Sequence, residues 1–370
     1  MGSKIYMITD THFGVYSAHN LNKWMDIQFG FFEKLFIPYL KENVKEGDIL
    51  VHLGDLFDDR DSVPIIIMNR VQELLSELSD IIPIHLMVGN HDLWNKGDNS
   101  INSPKVYKWI PNVNIYEKTT TMEFEGKKLV FMPWIEHRSN MIKELQSTPG
   151  DYLFCHSDLN GCRMHLSSVA HRNKSKINVS EFSGYNRVFS GHIHIRQVNE
   201  NFEFIGAPYQ MDRNDFNDTK GFTILDVSSG ETEFVENTIS PTFKKVHIKT
   251  EDDIAMLKFV DTDKHFVDLT INNSVIIGQR KNKKLLEQVL TDKRFSKVEY
   301  HNDLAKKKED IKTLNEDTNI DTIKINDFGK LVVEYTSEID FGSDAINNGT
   351  LAELSKILDI YHKTHKFDGE

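Results

Sequence analysis

Five short apolar runs in this chain each stop at a metal-ligating type of residue, and that repetition constrains the fold more than any other feature. The run at 5–9 ends in Asp10-Thr11-His12, and the run at 49–53 in Gly54-Asp55. The run at 84–88 ends in Gly89-Asn90-His91-Asp92, and two later ones in His156 and in Gly191-His192-Ile193-His194. Short apolar runs bounded by polar turns read as buried strands. Between the first three lie segments with apolar residues at helical spacing, 21–43 and 64–78, the second opening on a well-placed Pro64. This strand–helix–strand rhythm predicts parallel pairing in a layered α/β core. In such sheets the loops at the carboxyl ends of the strands form the ligand crevice. Carboxylates, an amide and imidazoles are thus expected to meet at one edge.

After Val113 the rhythm shortens, with strands expected at 120–124, 128–132, 152–155, 187–189, 204–205 and 222–226. They predict a second sheet packed on the first. A boundary falls near Ser240-Pro241, beyond which 266–271, 283–290 and 297–300 read as a small β-α-β unit. The chain of 370 residues exceeds what one core usually holds. The expected organisation is a catalytic domain at 1–240, a small α+β capping domain at 241–302, a charged linker at 303–324 and C-terminal helices at 325–370. The last of these carries Leu351, Leu354, Ile357, Leu358 and Tyr361 on one helical face. The fold class is α/β: a two-sheet β-sandwich flanked by helices.

Oxygen and imidazole ligands without thiolate suit Mn²⁺, Fe or Zn²⁺, whereas a Mg²⁺ or Ca²⁺ site would be almost all oxygen. Two cations roughly 3.5–4 Å apart need one bridging carboxylate and can clamp both the attacking and the leaving oxygen of a displacement. The glycines before Asp55, Asn90 and His192 are expected to let the backbone turn sharply there. Asp-X-His or Gly-Asp alone is an ordinary surface turn; the whole set in order, each after an apolar strand, is not.

Composition narrows the classes further. No apolar run reaches the roughly 18–20 residues of a membrane span, and the N-terminus has neither a signal-peptide layout nor, at Tyr6, the hydroxyl residue of a myristoylation signal. A cytoplasmic protein without membrane association is expected. Cys155 and Cys162 form neither a disulfide framework nor a zinc site. The formal charge of −12 disfavours tight phosphate binding by the chain alone and points to a partner. Bound cations would offset it locally, and the stretch from Arg280 to Lys308 has ten Lys/Arg against four Asp/Glu. That stretch, and the loop 160–180 with Arg163, His165, His171, Arg172, Lys174 and Lys176, read either as phosphate contacts or as solvated surface.

Taken together, the motifs resemble those of the calcineurin-like metallophosphoesterase superfamily, and within it the SbcD-type DNA nucleases, the recombination nucleases of T-even-type phages in particular. The narrower likeness rests on Gly54-Asp55-Leu56-Phe57-Asp58, Pro133-Trp134, Ile205-Gly206-Ala207-Pro208-Tyr209 and Lys220-Gly221-Phe222. It covers about residues 4–240. The resemblance implies the four-layer metallophosphoesterase fold and two divalent cations, both Mn²⁺ or, as the alternative, Mg²⁺. It implies that Asp10, His12 and His194 hold the first, that Asn90, His156 and His192 hold the second, and that Asp55 bridges them. His91 would assist the reaction and Asp92 orient it. His165 and His171 compete with His156 for its place. Asp58 stands where many cellular members carry a histidine, and with Arg163, Arg172 and Lys174 it is expected to face substrate. The implied activity is 3′-to-5′ exonuclease on duplex DNA and endonuclease on single strands, in recombination and repair. The implied partners are DNA, an SbcC-type coiled-coil ATPase bound through the C-terminal helices, and a second copy of the chain, with a location in the cytoplasm, or the host's if the chain is viral. The competing readings are a phosphoesterase for a phosphoprotein or nucleotide, and a DNA-tethering subunit whose nuclease is silent.

Overall fold

A computed structural model describes residues 2–15, 21–168, 170, 176–277 and 279–301. The expected linker at 303–324 and C-terminal helices at 325–370 lie outside the described residues. So do His171, Arg172 and Lys174 of the basic loop.

Two six-stranded sheets form the centre. The first runs in the order Thr232–Glu236, Gly221–Asp226, Lys4–Ile8, Ile49–His52, Ile84–Met87, Val113–Tyr116, and its last four strands are parallel. The second runs Gln197–Asn199, Phe202–Phe204, Arg187–Gly191, Tyr152–His156, Lys127–Met132, Thr120–Phe124. Alternation along each strand explains why they stack, since successive side chains point to opposite faces. Ile5, Met7, Ile49 and Val51 share one buried cluster with Leu129, Phe131, Phe154 and Phe189 of the other sheet. Their neighbours Tyr6, Ile8 and Leu50 face the other way, onto Phe29, Phe31, Phe36, Ile67 and Val71 of the helical layer. Val130, Met132, Leu153 and Val188 likewise turn outward, beneath Met141, Leu145 and Phe182. The result is helix, sheet, sheet, helix.

The helix expected at 21–43 is three pieces: an α-helix Leu21–Phe31, a π turn Phe32–Phe36 and an α-helix Ile37–Asn43. Pro38 lacks the N–H that an unbroken ladder would need there, and the wider turn absorbs the fault. The strand expected at 204–205 lies at Phe202–Phe204 instead. The helix Arg138–Ser147, the strand Thr232–Glu236 and the hairpin Leu93–Asn95/Asp98–Asn102 have weak apolar patterns and are absent from the sequence reading. No helix among the described residues is long and apolar enough to cross a membrane.

From residue 243 onward a three-stranded parallel sheet forms, Phe243–Ile248, Phe266–Asn272 and Lys297–His301. One face covers Ile254, Leu257 and Leu286 of the helices beside it. The other carries Phe266, stacked 5.7 Å from Trp24, and Asp268, which accepts from Arg213 Nε at 2.7 Å. On the helix Arg280–Asp292, Lys281, Lys283 and Lys284 are exposed while Leu286 is buried.

Phe154 is fully buried between the sheets, 5.5 Å from Phe131 and 5.7 Å from Phe189. Phe154→Ala is expected to cost about 3–5 kcal/mol, read as a lower urea midpoint. A change below ~1 kcal/mol would mean that this seam does not hold the two sheets together.

Candidate metal centre

The parallel pairing of the first two strands continues past their ends. Asp10 N donates to Gly54 O at 3.0 Å, His12 N to Asp55 O at 3.1 Å and Phe13 N to Leu56 O at 2.8 Å. This zipper sets Asp10 and His12 across from Asp55. The loop curls to do so: Asp10, His12 and Asp55 have φ of 50°, 42° and 55°, and His192 has 83°. Each such residue costs roughly 1–2 kcal/mol relative to an ordinary conformation. Buried partners hold the first loop. Gln28 Nε2 donates to the carbonyls of Thr11 (3.1 Å) and His12 (2.7 Å), and the Tyr209 hydroxyl donates to the Thr11 carbonyl.

The glycines serve this geometry in two different ways. Only Gly54 has the positive φ, 104°, that a sharp turn requires. Gly89 and Gly191 are needed for space. A Cβ on Gly89 would overlap the Asp55 carboxylate, and one on Gly191 would overlap Thr9 Oγ1 and lie 2.8 Å from His156 Nδ1.

The expected ligands converge in two groups. In one, His12 Nε2 lies 3.8 Å from Asp10 Oδ1, 3.6 Å from Asp55 Oδ2 and 3.2 Å from His194 Nε2. In the other, His156 Nε2 lies 3.3 Å from Asp55 Oδ2 and 3.1 Å from Asn90 Oδ1, and His192 Nδ1 lies 2.7 Å from Asn90 Oδ1. Asp55 Oδ2 therefore belongs to both. Ligand atoms of Asp10, His12 and His194, and those of Asp55, His156 and His192, lie within 4.8 Å of one another, spacings that a cation could close. The His165 ring lies 3.1 Å from Ser167 Oγ and belongs to neither ligand group among the described residues, so it does not compete with His156.

The charge balance fits cations. Asp10 and Asp55 are 0% and 1% exposed, and no ion pair among the described residues joins either to a Lys or Arg. Burial works against their ionisation, yet the nearby His12 imidazole and the His156 and His194 charges hold Asp10 well below the ordinary carboxylate range. Asp55 is held down in the same way, chiefly by His156. The reciprocal effect lifts His12 to about 10 and His156 to about 9 against their own burial. Buried carboxylates that must draw protons onto neighbouring imidazoles are suited to divalent cations, which would replace those protons.

Two expected roles, those of Asp92 and Asp58, read differently in the structure. The Asp92 carboxylate does not orient His91: it accepts from the amides of Leu56 (3.0 Å), Phe57 (3.2 Å) and Gly89 (2.9 Å), clamping two of the loops together. Instead His91 is fixed by Asp55 Oδ1, which accepts its N–H at 2.8 Å, and by the Asp58 carbonyl, 2.6 Å from its Nδ1. The Asp58 carboxylate, expected to face substrate, lies 3.1 Å from His12 Nδ1. Arg163 is exposed on the basic loop and away from these contacts. The residues that sequence reading missed are Gln28, a polar residue inside an apolar helical face that could have signalled it, and Asp158, which nothing local marks.

Residues 3–196, more than half of the chain, match the calcineurin-like phosphoesterase family. The chain is 29% identical to Exonuclease subunit 1 of Enterobacteria phage T4 over 63% of its own length and 68% of that protein. It is 24% identical to a protein of Invertebrate iridescent virus 3 named as a phosphoesterase, over 65% of its length and 72% of that protein. A solved protein of unknown function from Aquifex aeolicus is 21% identical, covering 50% of this chain and 94% of that one, at a TM-score of 0.26 that is too low to carry an argument. The family match spans all five ligand-bearing strand ends that the fold draws together, and on that ground the chain belongs to the calcineurin-like phosphoesterases, a family of hydrolases that use divalent metals.

Proposed function

We propose that the chain is the nuclease subunit of an SbcCD-like recombination and repair complex, hydrolysing DNA phosphodiester bonds with two Mn²⁺ ions, or Mg²⁺ in their place. The observation that carries the reading is the Asp55 carboxylate shared by two groups of ligands. The likeness to a phage exonuclease subunit supports DNA as the substrate. In this reading Asp10, His12 and His194 hold one cation, Asn90, His156 and His192 the other, and Asp55 both. The cations would supply Lewis acidity to the scissile phosphate and lower the pKa of the attacking water.

The chain's own groups do the rest. The His91 ring lies edge-on to His12 with centroids 4.8 Å apart, and its Nδ1 is taken by the Asp58 carbonyl. Its Nε2 is the atom left to deliver a proton to the leaving oxygen. Asp58 thus serves the reaction by fixing His91 through its carbonyl and His12 through its carboxylate. Residues 1–240 would carry catalysis and 241–302 cap the DNA, with the exposed lysines of Arg280–Asp292 on phosphates. The segment 303–324 would act as a linker, and 325–370 would bind an SbcC-type coiled-coil ATPase through the amphipathic face read in the sequence. Ile65 and Ile66, 77% and 50% exposed, support a homodimer through the helix Ile65–Ile81. Arg163, Arg172 and Lys174 would steady the DNA backbone. The reading implies 3′-to-5′ exonuclease on duplex DNA, endonuclease on single strands, and a cytoplasmic location, the host's for a viral chain.

On end-labelled duplex DNA, native protein is expected to cleave with Mn²⁺ and not with EDTA, and Asp55→Asn to abolish cleavage. Cleavage of p-nitrophenyl phosphate but not of DNA, with or without an ATPase subunit, would reject the nuclease reading. His91→Ala is expected to lose about 100- to 10,000-fold in rate while binding Mn²⁺ as the native protein does; a variant with native turnover would remove His91 from the chemistry. His12 and His156, at about 10 and about 9, carry protons at pH 7 that incoming cations must displace. Mn²⁺ affinity is therefore expected to rise from pH 7 to 9, with proton release seen in calorimetry across buffers. An affinity flat over that range would show that these imidazoles carry no proton at pH 7 for a cation to displace.

A further inference from the structure

We infer that Asp158 is a positioning residue for the second metal group, accepting the Nε2 proton of His192 so that the Nδ1 lone pair faces Asn90 and Asp55. The inference rests on the two-metal reading above and concerns a residue outside every ligand motif.

Strand register explains why Asp158 is there. In the parallel pair Tyr152–His156 and Arg187–Gly191, His156 is the partner of Gly191, so the two chains leave the sheet side by side. Ser157 N donates to Ser190 Oγ at 3.2 Å, carrying the first chain over the end of the second. Asp158 then stands beside His192, with Oδ1 3.0 Å from Nε2.

The ring is held on three sides. Nδ1 lies 2.7 Å from Asn90 Oδ1, Nε2 meets Asp158, and the Trp134 ring covers it at 5.0 Å between centroids. An imidazole that ligates through one nitrogen must carry its proton on the other, and a carboxylate on that far nitrogen fixes both tautomer and ring angle. His156 in the same group has this arrangement through a different acceptor, its Nδ1 lying 2.8 Å from the Leu53 carbonyl. For His192 no backbone carbonyl among the described residues fills the place, and Asp158 does. Lys176 Nζ lies 2.6 Å from the same Oδ1 and steadies the carboxylate from the outer side. Asp158 is in none of the candidate ligand groups, so its effect would run through His192.

The test is Mn²⁺ binding to the full-length protein, followed by calorimetry for stoichiometry and affinity and by the electron paramagnetic resonance signature of a coupled Mn²⁺ pair. Native protein is expected to bind two ions. Asp158→Ala should weaken one of them about 10- to 100-fold and diminish the coupled signal. Asp158→Asn, whose amide oxygen can still accept from Nε2, should weaken it less but measurably, and it carries the test if the alanine variant does not fold. Lys176→Met should keep both ions, because the His192 contact survives. Native affinity for both ions in the Asp158 variants would overturn the inference, as would an equal loss in Lys176→Met, which would assign the effect to the ion pair instead. Native protein binding fewer than two ions would fail earlier, at the two-metal reading itself.

Discussion

Two buried carboxylates govern this structure. Asp10 and Asp55 lie at the ends of adjacent parallel strands, buried and compensated by imidazoles and backbone amides, with no Lys or Arg paired to either among the described residues. Burying an uncompensated charge is costly enough that folds avoid it unless a partner or a cation is supplied. Much of what surrounds them follows from that need: the imidazoles of His12, His156 and His194 within 3.8 Å, amides aimed at each carboxylate, and glycines where any side chain would strike one.

The carboxylates also join the layers. The amide of His192, from the second sheet, donates to Asp10 of the first at 3.0 and 3.1 Å. His91 N does the same for Asp55 between neighbouring loops, and Asp92 ties those loops from below. Behind His194, the buried Lys220 donates to its carbonyl at 2.7 Å while pairing with Asp215 and Asp218. The left-handed backbone at Asp10, His12, Asp55 and His192 is held by this web of contacts, and such strain concentrates where geometry serves chemistry.

Acidic balance and phosphate chemistry are reconciled by position. The chain carries −12 overall, but the ligand groups that share Asp55 are suited to cations, which would offset that charge locally. Positive side chains otherwise gather on the exposed face of the helix Arg280–Asp292, whose apolar face is covered by its own small sheet. In the proposed reading, affinity for DNA would come from that outer surface and from partners, and reactivity from the centre.

The amino-acid sequence by itself determined the strand ends and the order of their polar residues, because an apolar run that stops at a carboxylate or imidazole is a local pattern. It determined the layered α/β core as well, through the rhythm of short apolar runs and helically spaced segments, although which way Ile5, Tyr6, Met7 and Ile8 each face is decided only in the fold. It could not yield the π turn before Pro38, where propensity predicted one unbroken helix. Nor could it separate Gly54, which needs a left-handed backbone, from Gly89 and Gly191, which leave room for Asp55, Thr9 and His156 arriving from elsewhere in the chain. Asp58 and Asp92 were visible, but their partners were not: which group a carboxylate serves depends on loops some 35 residues or more away. Asp158 shows this most clearly. It meets His192 only because two parallel strands pair in one register and not another, and register is fixed by burying whole faces against the rest of the core, a decision taken by the tertiary structure.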